Sequence, residues 1–288
     1  MFVHLPPPDI DSKSHANVNG NLNDVSIDIF TISQELPFAG HPTVGTSYHL
    51  LSKTDKVSTI TIITKAGRIP ARFDPDANRV RLEIPHAITI HDASAPIADV
   101  SQALGLRPSF PPGSVIPNDL KGTHVALVSI VKGLAFVFVR VASLDILGLL
   151  RNTGFKFDAH NLAAKDLARD TFIGMYAYYI DEESETTKIR TRMFEGNWED
   201  PATGSAASCL CAYLSIVAAR GDRSTSAQVI PKKYEITQGV EMGRRCDIGV
   251  EVQLKPTAGE DGKEEGAWVE KIWLGGSAVE VMRGTIDV

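Results

Sequence analysis

The sequence has little cysteine, no excess of positive charge and no long apolar run. Its 288 residues hold three cysteines, Cys209, Cys211 and Cys246. An odd, sparse set is no disulfide framework and reads as reduced thiols in a cytoplasmic protein. No Cys/His spacing matches a zinc site, so no metal is expected. Lysine and arginine together number 29 against 35 acidic residues, a formal net charge of -6. Nucleic-acid and anionic-membrane partners favour a basic patch, so neither is expected. No apolar stretch reaches the length of a membrane span. The start, MFVHLPPPDIDSK, lacks the basic-then-apolar order of a signal peptide. Neither a glycine-rich dinucleotide loop nor a Walker phosphate loop is present, so no cofactor is expected.

What is present is an ordinary globular composition, 43% hydrophobic and 22% charged. The length suits two domains or one large one. Alternating or continuous apolar runs predict strands at 22–32, 58–73, 78–85, in THVALVSIV, LAFVFVRV, TFIGMYAYYI, TTKIRTRMF and AWVEKIWLGG, and in the closing AVEVMRGTIDV. IADVSQALGL, SLDILGLLRNT and AHNLAAKDLARD (159–170) read as helices. DPDAN, DEESE and TAGEDGKEEG read as turns or hairpin tips. RPSFPPGSVIPND (107–119) is dense in proline and glycine and is the expected linker. The halves would be 1–112 and 119–288, with the last strand able to return to the first. Cys209-x-Cys211 falls in an apolar helical pattern and is expected to pack in the core.

A weak internal repeat joins the halves. His41-Pro-Thr-Val-Gly-Thr46 matches Asp200-Pro-Ala-Thr-Gly-Ser205 on the template X-Pro-x-x-Gly-[Ser/Thr]. Before each lies a strand with a phenylalanine, Phe30 or Phe194, and a glutamate, Glu35 or Glu199. An apolar helical pattern comes after each. ITKAGR (63–68) loosely echoes ITQGVEMGR (236–244). The reading is two similar halves facing each other across a cleft.

Helix starts leave backbone N–H groups unpaired and carry partial positive charge. Glycine there allows close approach by a small anion, and Ser205 and Thr46 offer hydroxyls. The same dipole disfavours a positive charge on His41 and favours the carboxylate of Asp200. An acid/base pair of this kind suits moving a proton on and off carbon. Asp200 and Ser205 are equally ordinary N-caps, a turn histidine is equally an ordinary surface residue, and Glu35 an ordinary loop carboxylate. Those alternatives stay open on the residues alone.

ELPFAGHPTVGT, EDPATGSAA, QGVEMGR (238–244) and GGSAVEVMRGTI (275–286) resemble, in order along the chain, the signature segments of the phenazine-biosynthesis PhzF-like family. The resemblance implies an α+β fold of the diaminopimelate-epimerase type, with two pseudo-symmetric halves, each a mixed sheet around a central helix. It implies an active site in the cleft between them. Racemases of this fold use two turn cysteines; here the turns carry Ala39-Gly40-His41 and Asp200-Pro201-Ala202 instead. The PhzF-like pattern implies His41, Asp200 and Ser205 as catalytic residues and Gly40, Gly204 and Thr203 as substrate-binding. The family's eponymous member isomerises a dihydro-hydroxyanthranilate without metal or redox cofactor. The family's principal base is a glutamate in a segment resembling N-L-S-E-[ST]-x-F-[VL]. Met1–Pro7 resembles the stretch just after that glutamate, so the segment that bears it is expected to be absent. Arg245-Cys246 also departs from the family's Pro-Ser. The expected protein is an isomerase acting on a small anionic metabolite, as a homodimer. The alternatives are a catalytically inactive homologue that binds a small molecule and a purely structural protein.

Overall fold

A computed structural model gives an α+β fold. It describes residues 2–4, 24–31, 35–53, 57–93, 95–106, 113–116, 125–181, 187–221, 231–258 and 264–282. Two compact units are present. One runs from the start of the chain to Pro85 and takes in the residues from Leu274 onward; the other is His86–Trp273. Most of the proline-rich 107–119 stretch lies outside the described residues, as does all of DEESE after Asp181. No helix among the described residues is long and apolar enough to cross a membrane.

The first unit holds β1 (Phe2–His4), β2 (Asp24–Phe30), β3 (Glu35–Leu36), α1 (Gly40–Leu51), β4 (Thr59–Thr64), β5 (Gly67–Asp74) and β6 (Arg79–Glu83). β2 pairs antiparallel with β1 and parallel with β4. Parallel neighbours need a crossover, and α1 supplies it. Val44, Ser47 and Leu51, at three- to four-residue spacing, are buried, and the helix packs on β4, β5 and β6. β4, β5 and β6 are joined by tight antiparallel turns. In DPDAN, the Asp74 carboxylate accepts from the N–H groups of Asp76 and Ala77, and Asn78 takes a left-handed φ of 49°. β5 alternates strictly, with Ile69 and Ala71 inward and Arg68, Pro70 and Arg72 outward. The Arg68 guanidinium makes two 2.9 Å bonds to the buried Asp24 carboxylate.

The second unit holds β7 (Thr89–Ile90), α2 (Ile97–Ala103), β8 (Val115–Ile116), β9 (Ala126–Val131), β10 (Leu134–Val141), α3 (Leu144–Leu149), β11 (Phe172–Asp181), β12 (Thr187–Glu195), β13 (Trp198–Asp200), α4 (Gly204–Gly221), β14 (Lys232–Gln238), β15 (Cys246–Ala258) and most of β16 (Glu264–Gly276). Its sheet is also mixed. β10 and β11 are parallel, as are β12 and β14. β9 pairs antiparallel with β10, β11 with β12, and β14 with β15. α4 is the crossover from β12 to β14. β9 and β10 are buried along nearly their whole length, because α4 covers one face and an apolar cluster including α2 and α3 residues covers the other. Continuous apolar runs are what two covered faces require. Cys209 and Cys211 are fully buried in α4, and burial holds both thiols protonated.

One expected helix is not formed, and the described part of one expected strand is not a strand. AHNLAAKDLARD is a series of turns. Asp158 accepts from the N–H groups of His160 and Asn161, the Asn161 side chain accepts from the Asp158 N–H, and Ala163 takes a left-handed φ of 51°. These side chains offer the backbone local partners that compete with a helix. Leu162 and Ala164, two residues apart, are buried instead. After β16 the described part of the closing segment is not a strand, and Val279, Val281 and Met282 are exposed. Glu280 is held by Lys53 just beyond α1.

Arg192, on β12, joins several elements of the second unit. Its fork makes bonds of 2.8 and 2.9 Å to the Glu199 carboxylate, and Nη1 donates to the carbonyls of Leu147 and Leu150 at the end of α3. Replacing it by methionine leaves that carboxylate and those carbonyls without their cation, and should cost about 3–5 kcal/mol. Arg192→Lys restores charge but no fork and should recover less than half. Urea midpoints check this, and an Arg192→Met midpoint equal to wild type would remove the role.

Candidate active site

β13 folds back on β12, with Phe194 opposite Glu199 and Met193 opposite Asp200. The chain then turns through Pro201-Ala202-Thr203 into α4. Asp200 is nearly buried. Its Oδ1 accepts from the Ala202 N–H at 3.3 Å, and its Oδ2 accepts from the Thr203 hydroxyl at 2.8 Å. Thr203, Gly204 and Ser205 are buried beside it.

Beneath the turn lies Gln238, the last residue of β14, at 0% exposure. Its Oε1 accepts from the Tyr176 hydroxyl at 2.9 Å and from the Thr203 N–H at 3.1 Å. Its Nε2 donates to the Asp200 carbonyl at 2.6 Å and to Thr203 Oγ1 at 3.0 Å. All four hydrogen-bonding positions of the amide are used. Burial holds the Tyr176 phenol protonated, so it serves as a donor. Gly239 comes next with φ +76°, and a Cβ there would lie 2.4 Å from the Arg244 carbonyl oxygen and 2.7 Å from that of Pro201. Only glycine lets the 239–245 loop lie against the turn. Glu241 of that loop is tied to Arg190 at 2.8 Å. Cys246 stands opposite Gln238 in the sheet. Burial first, then the Asp247 and Asp200 carboxylates, raises the pKa of its thiol, which disfavours a thiolate nucleophile.

The first unit carries the matching turn. Phe30 stands opposite Glu35 and Ile29 opposite Leu36, and Pro37-Phe38-Ala39 leads into α1. Glu35 is paired with Lys65, and the Ala66 N–H donates to the Pro37 carbonyl. Ala39 is the N-cap, extended, with no side-chain cap bond. Gly40 is buried and His41 is exposed.

The two pairings correct the register of the repeat. Phe30–Glu35 corresponds to Phe194–Glu199, so Glu35-Leu-Pro-Phe-Ala-Gly-His41 corresponds to Glu199-Asp-Pro-Ala-Thr-Gly-Ser205. The counterpart of His41 is Ser205, not Asp200. The counterpart of Asp200 is Leu36, and Gly40 and Gly204 open the two helices. The template in the sequence slid by five residues because Pro42 and Gly45 happen to repeat the spacing of Pro37 and Gly40. Thr46 consequently sits inside α1, away from its start. The structure brings Asp200, Thr203, Gly204 and Ser205 together on one turn and places Gly40 and His41 on the other.

A family model of phenazine biosynthesis-like proteins, PhzC-PhzF, matches residues 16–284. The chain belongs to that family. It is 33% identical over 225 residues to trans-2,3-dihydro-3-hydroxyanthranilate isomerase of Pseudomonas aeruginosa, covering 77% of this chain and 68% of that one. The Pseudomonas fluorescens enzyme of the same name is 29% identical, over 92% and 80% of the two chains. The crystal structure of a PhzF-family phenazine biosynthesis protein from Bacillus anthracis superposes with a TM-score of 0.64 at 20% identity, covering 88% of this chain and 77% of that one.

This PhzC-PhzF member carries two buried residues beside the turn that were not among the candidate site residues, Gln238, which opens the QGVEMGR segment, and Tyr176. The signal was there, since Tyr234, Ile236 and Gln238 are the alternating inward positions of β14, and a glutamine on that face demands buried partners. A second cluster, far along the chain from both turns, looks chemical but is not. His91 bonds Asp166 through Nδ1 at 2.8 Å and Ser129 through Nε2 at 2.7 Å. The order is that of a hydrolase triad, but the exposure is inverted. Ser129 and His91 are buried while the Asp166 side chain is 54% exposed. A substrate would meet the carboxylate rather than the hydroxyl, so the cluster reads as a clamp of the 159–170 turns onto β9.

The corrected register makes Gly45 an ordinary helical position, where an added Cβ meets nothing within 4 Å. Gly45→Ala should stabilise the protein by about 0.5–1 kcal/mol. Gly239→Ala should destabilise it by about 2 kcal/mol or more, from strain at positive φ and a backbone collision. Thermal midpoints of the two variants should move in opposite directions; movement in the same direction would contradict the register or the loop packing.

Proposed function

We propose that this protein is a cofactor-independent isomerase that moves a proton between carbons of a small anionic metabolite. One C–H bond breaks, its electron pair is held as an enolate-like anion, and a C–H bond forms at another carbon. Asp200 serves as base or pairs with a polar group of the substrate. His41 orients the substrate or relays the proton. Ser205, with the backbone at Gly204, holds the anionic group, since helix starts favour negative charge; the Thr203 hydroxyl is committed to Asp200. The observation that carries the reading is the Glu199–Ser205 turn: a carboxylate fixed by local bonds just before a glycine-started helix, in a family whose matched relatives include named isomerases.

The test is deuterium incorporation from solvent into trans-2,3-dihydro-3-hydroxyanthranilate, the compound named for the relatives, with mass spectrometry as the readout. Wild type should incorporate deuterium. Asp200→Asn should keep the fold, at a cost of about 1–3 kcal/mol because the asparagine NH2 group meets a donor in either orientation, and lose about 10²–10⁴-fold in rate. Equal exchange by the variant would remove Asp200 from the chemistry. No exchange by wild type, with a thermal shift on adding the compound, would favour a binding protein over an enzyme.

A further inference from the structure

We infer that Gln238 is a positioning residue that sets the direction of the Asp200 carboxylate through the Thr203 hydroxyl. The inference rests on the isomerase reading for its effect on turnover, and on geometry alone for the link itself.

Hydrogen-bond polarity fixes the link. The oxygen of the Gln238 amide faces two donors, the Tyr176 hydroxyl and the Thr203 N–H. Turning the amide over would set its NH2 group against the Thr203 N–H and its oxygen against the Asp200 carbonyl, so its orientation is fixed. Its nitrogen must then point at the Asp200 carbonyl and at Thr203 Oγ1. Because Thr203 Oγ1 receives that N–H, its own single proton is directed elsewhere, and the acceptor at 2.8 Å is Asp200 Oδ2. The Thr203 N–H and the Asp200 carbonyl thus fix a one-way series running from Gln238 through the Thr203 hydroxyl to the carboxylate, with the Tyr176 hydroxyl on the remaining position of the amide oxygen. Each member is nearly or fully buried, so water offers no competing partner. A carboxylate that exchanges protons with carbon needs a fixed direction, and a misplacement of about 1 Å can cost 10²-fold.

The first unit lacks the device. The residue corresponding to Thr203 is Ala39, which has no hydroxyl, and the one corresponding to Asp200 is Leu36. The series is therefore not part of what the repeated fold requires. It accompanies the one turn with a carboxylate immediately before its proline, where the other has Leu36.

The variants are Thr203→Val, Thr203→Ser and Gln238→Met. The readouts are the Asp200 carboxyl ¹³C resonance, assigned by its loss in Asp200→Asn, and kcat and KM for trans-2,3-dihydro-3-hydroxyanthranilate. Thr203→Val and Gln238→Met should move the resonance and lower kcat about 10–100-fold with KM nearly unchanged. Thr203→Ser, which keeps the hydroxyl, should restore both. If Gln238→Met does not fold, Thr203→Val decides, since it deletes one hydroxyl and leaves the amide its other three partners. An unmoved resonance in folded Thr203→Val overturns the link. A moved resonance with unchanged kcat overturns the positioning role. A moved resonance in a protein whose wild type shows no turnover supports the link and places the failure in the isomerase reading.

Discussion

A strand paired in parallel with its successor cannot be reached by a hairpin; the chain must cross a face of the sheet to return. Both units are built around that constraint. β2 and β4 are parallel and so are β12 and β14, and each crossover is a helix that packs on the sheet it leaves. The helix must start close to the end of the first strand, after a short reversal against it. Each unit makes this reversal with a glutamate opposite a phenylalanine, a proline, and a glycine as the first helical residue. A polarised helix start therefore appears at the same topological place in each unit, before any question of catalysis.

What distinguishes the turns is how their polar groups are satisfied. In the first, Thr43 returns its hydroxyl to the Ala39 carbonyl, and the N-cap residue has no side chain able to cap the helix start. In the second, Asp200, Thr203 and Gln238 satisfy one another in a nearly closed set. A buried polar set of this kind is costly unless complete, and this one is complete at the amide, which uses all its donors and acceptors. Arg192 then holds the neighbouring Glu199 from beneath, tying the turn to the end of α3. One unit carries an exposed histidine and the other an oriented carboxylate. The duplicated fold supplies equivalent helix starts, and the side chains make them unlike.

Much of this was legible in the sequence where local patterning and burial agree. The run at 58–73 marked extended chain, although the structure divides it at Lys65-Ala66 into β4 and β5, and the continuous apolar runs marked β9 and β10. The Asp-Pro-Asp-Ala-Asn turn was readable because its side chains bond their own backbone. The family motifs marked both turns and hence the candidate site residues. The failures share a cause. AHNLAAKDLARD has helical composition, but Asp158 and Asn161 give the backbone nearer partners, and the core takes Leu162 and Ala164 from a turn. The repeat was found in the wrong register because a proline three residues before a glycine occurs twice within the first motif, and only strand pairing says which copy faces the phenylalanine.

Gln238 shows why spacing alone misses such a residue. Its partners lie 35, 38 and 62 positions away in sequence, so no local motif can encode them. Yet the residue type at an inward strand position carries information. A buried glutamine needs up to four partners, and β14 could supply none of them from its own inward neighbours, Tyr234 and Ile236. Tyr234 is already bonded to Ser215 in α4. The partners had to come from the next strand but one and from the chain just before the crossover helix, where the fold brings a strand end and a helix start together. A polar residue at the inward end of a strand after a crossover therefore points back to the start of that crossover, and here that start is where the carboxylate sits.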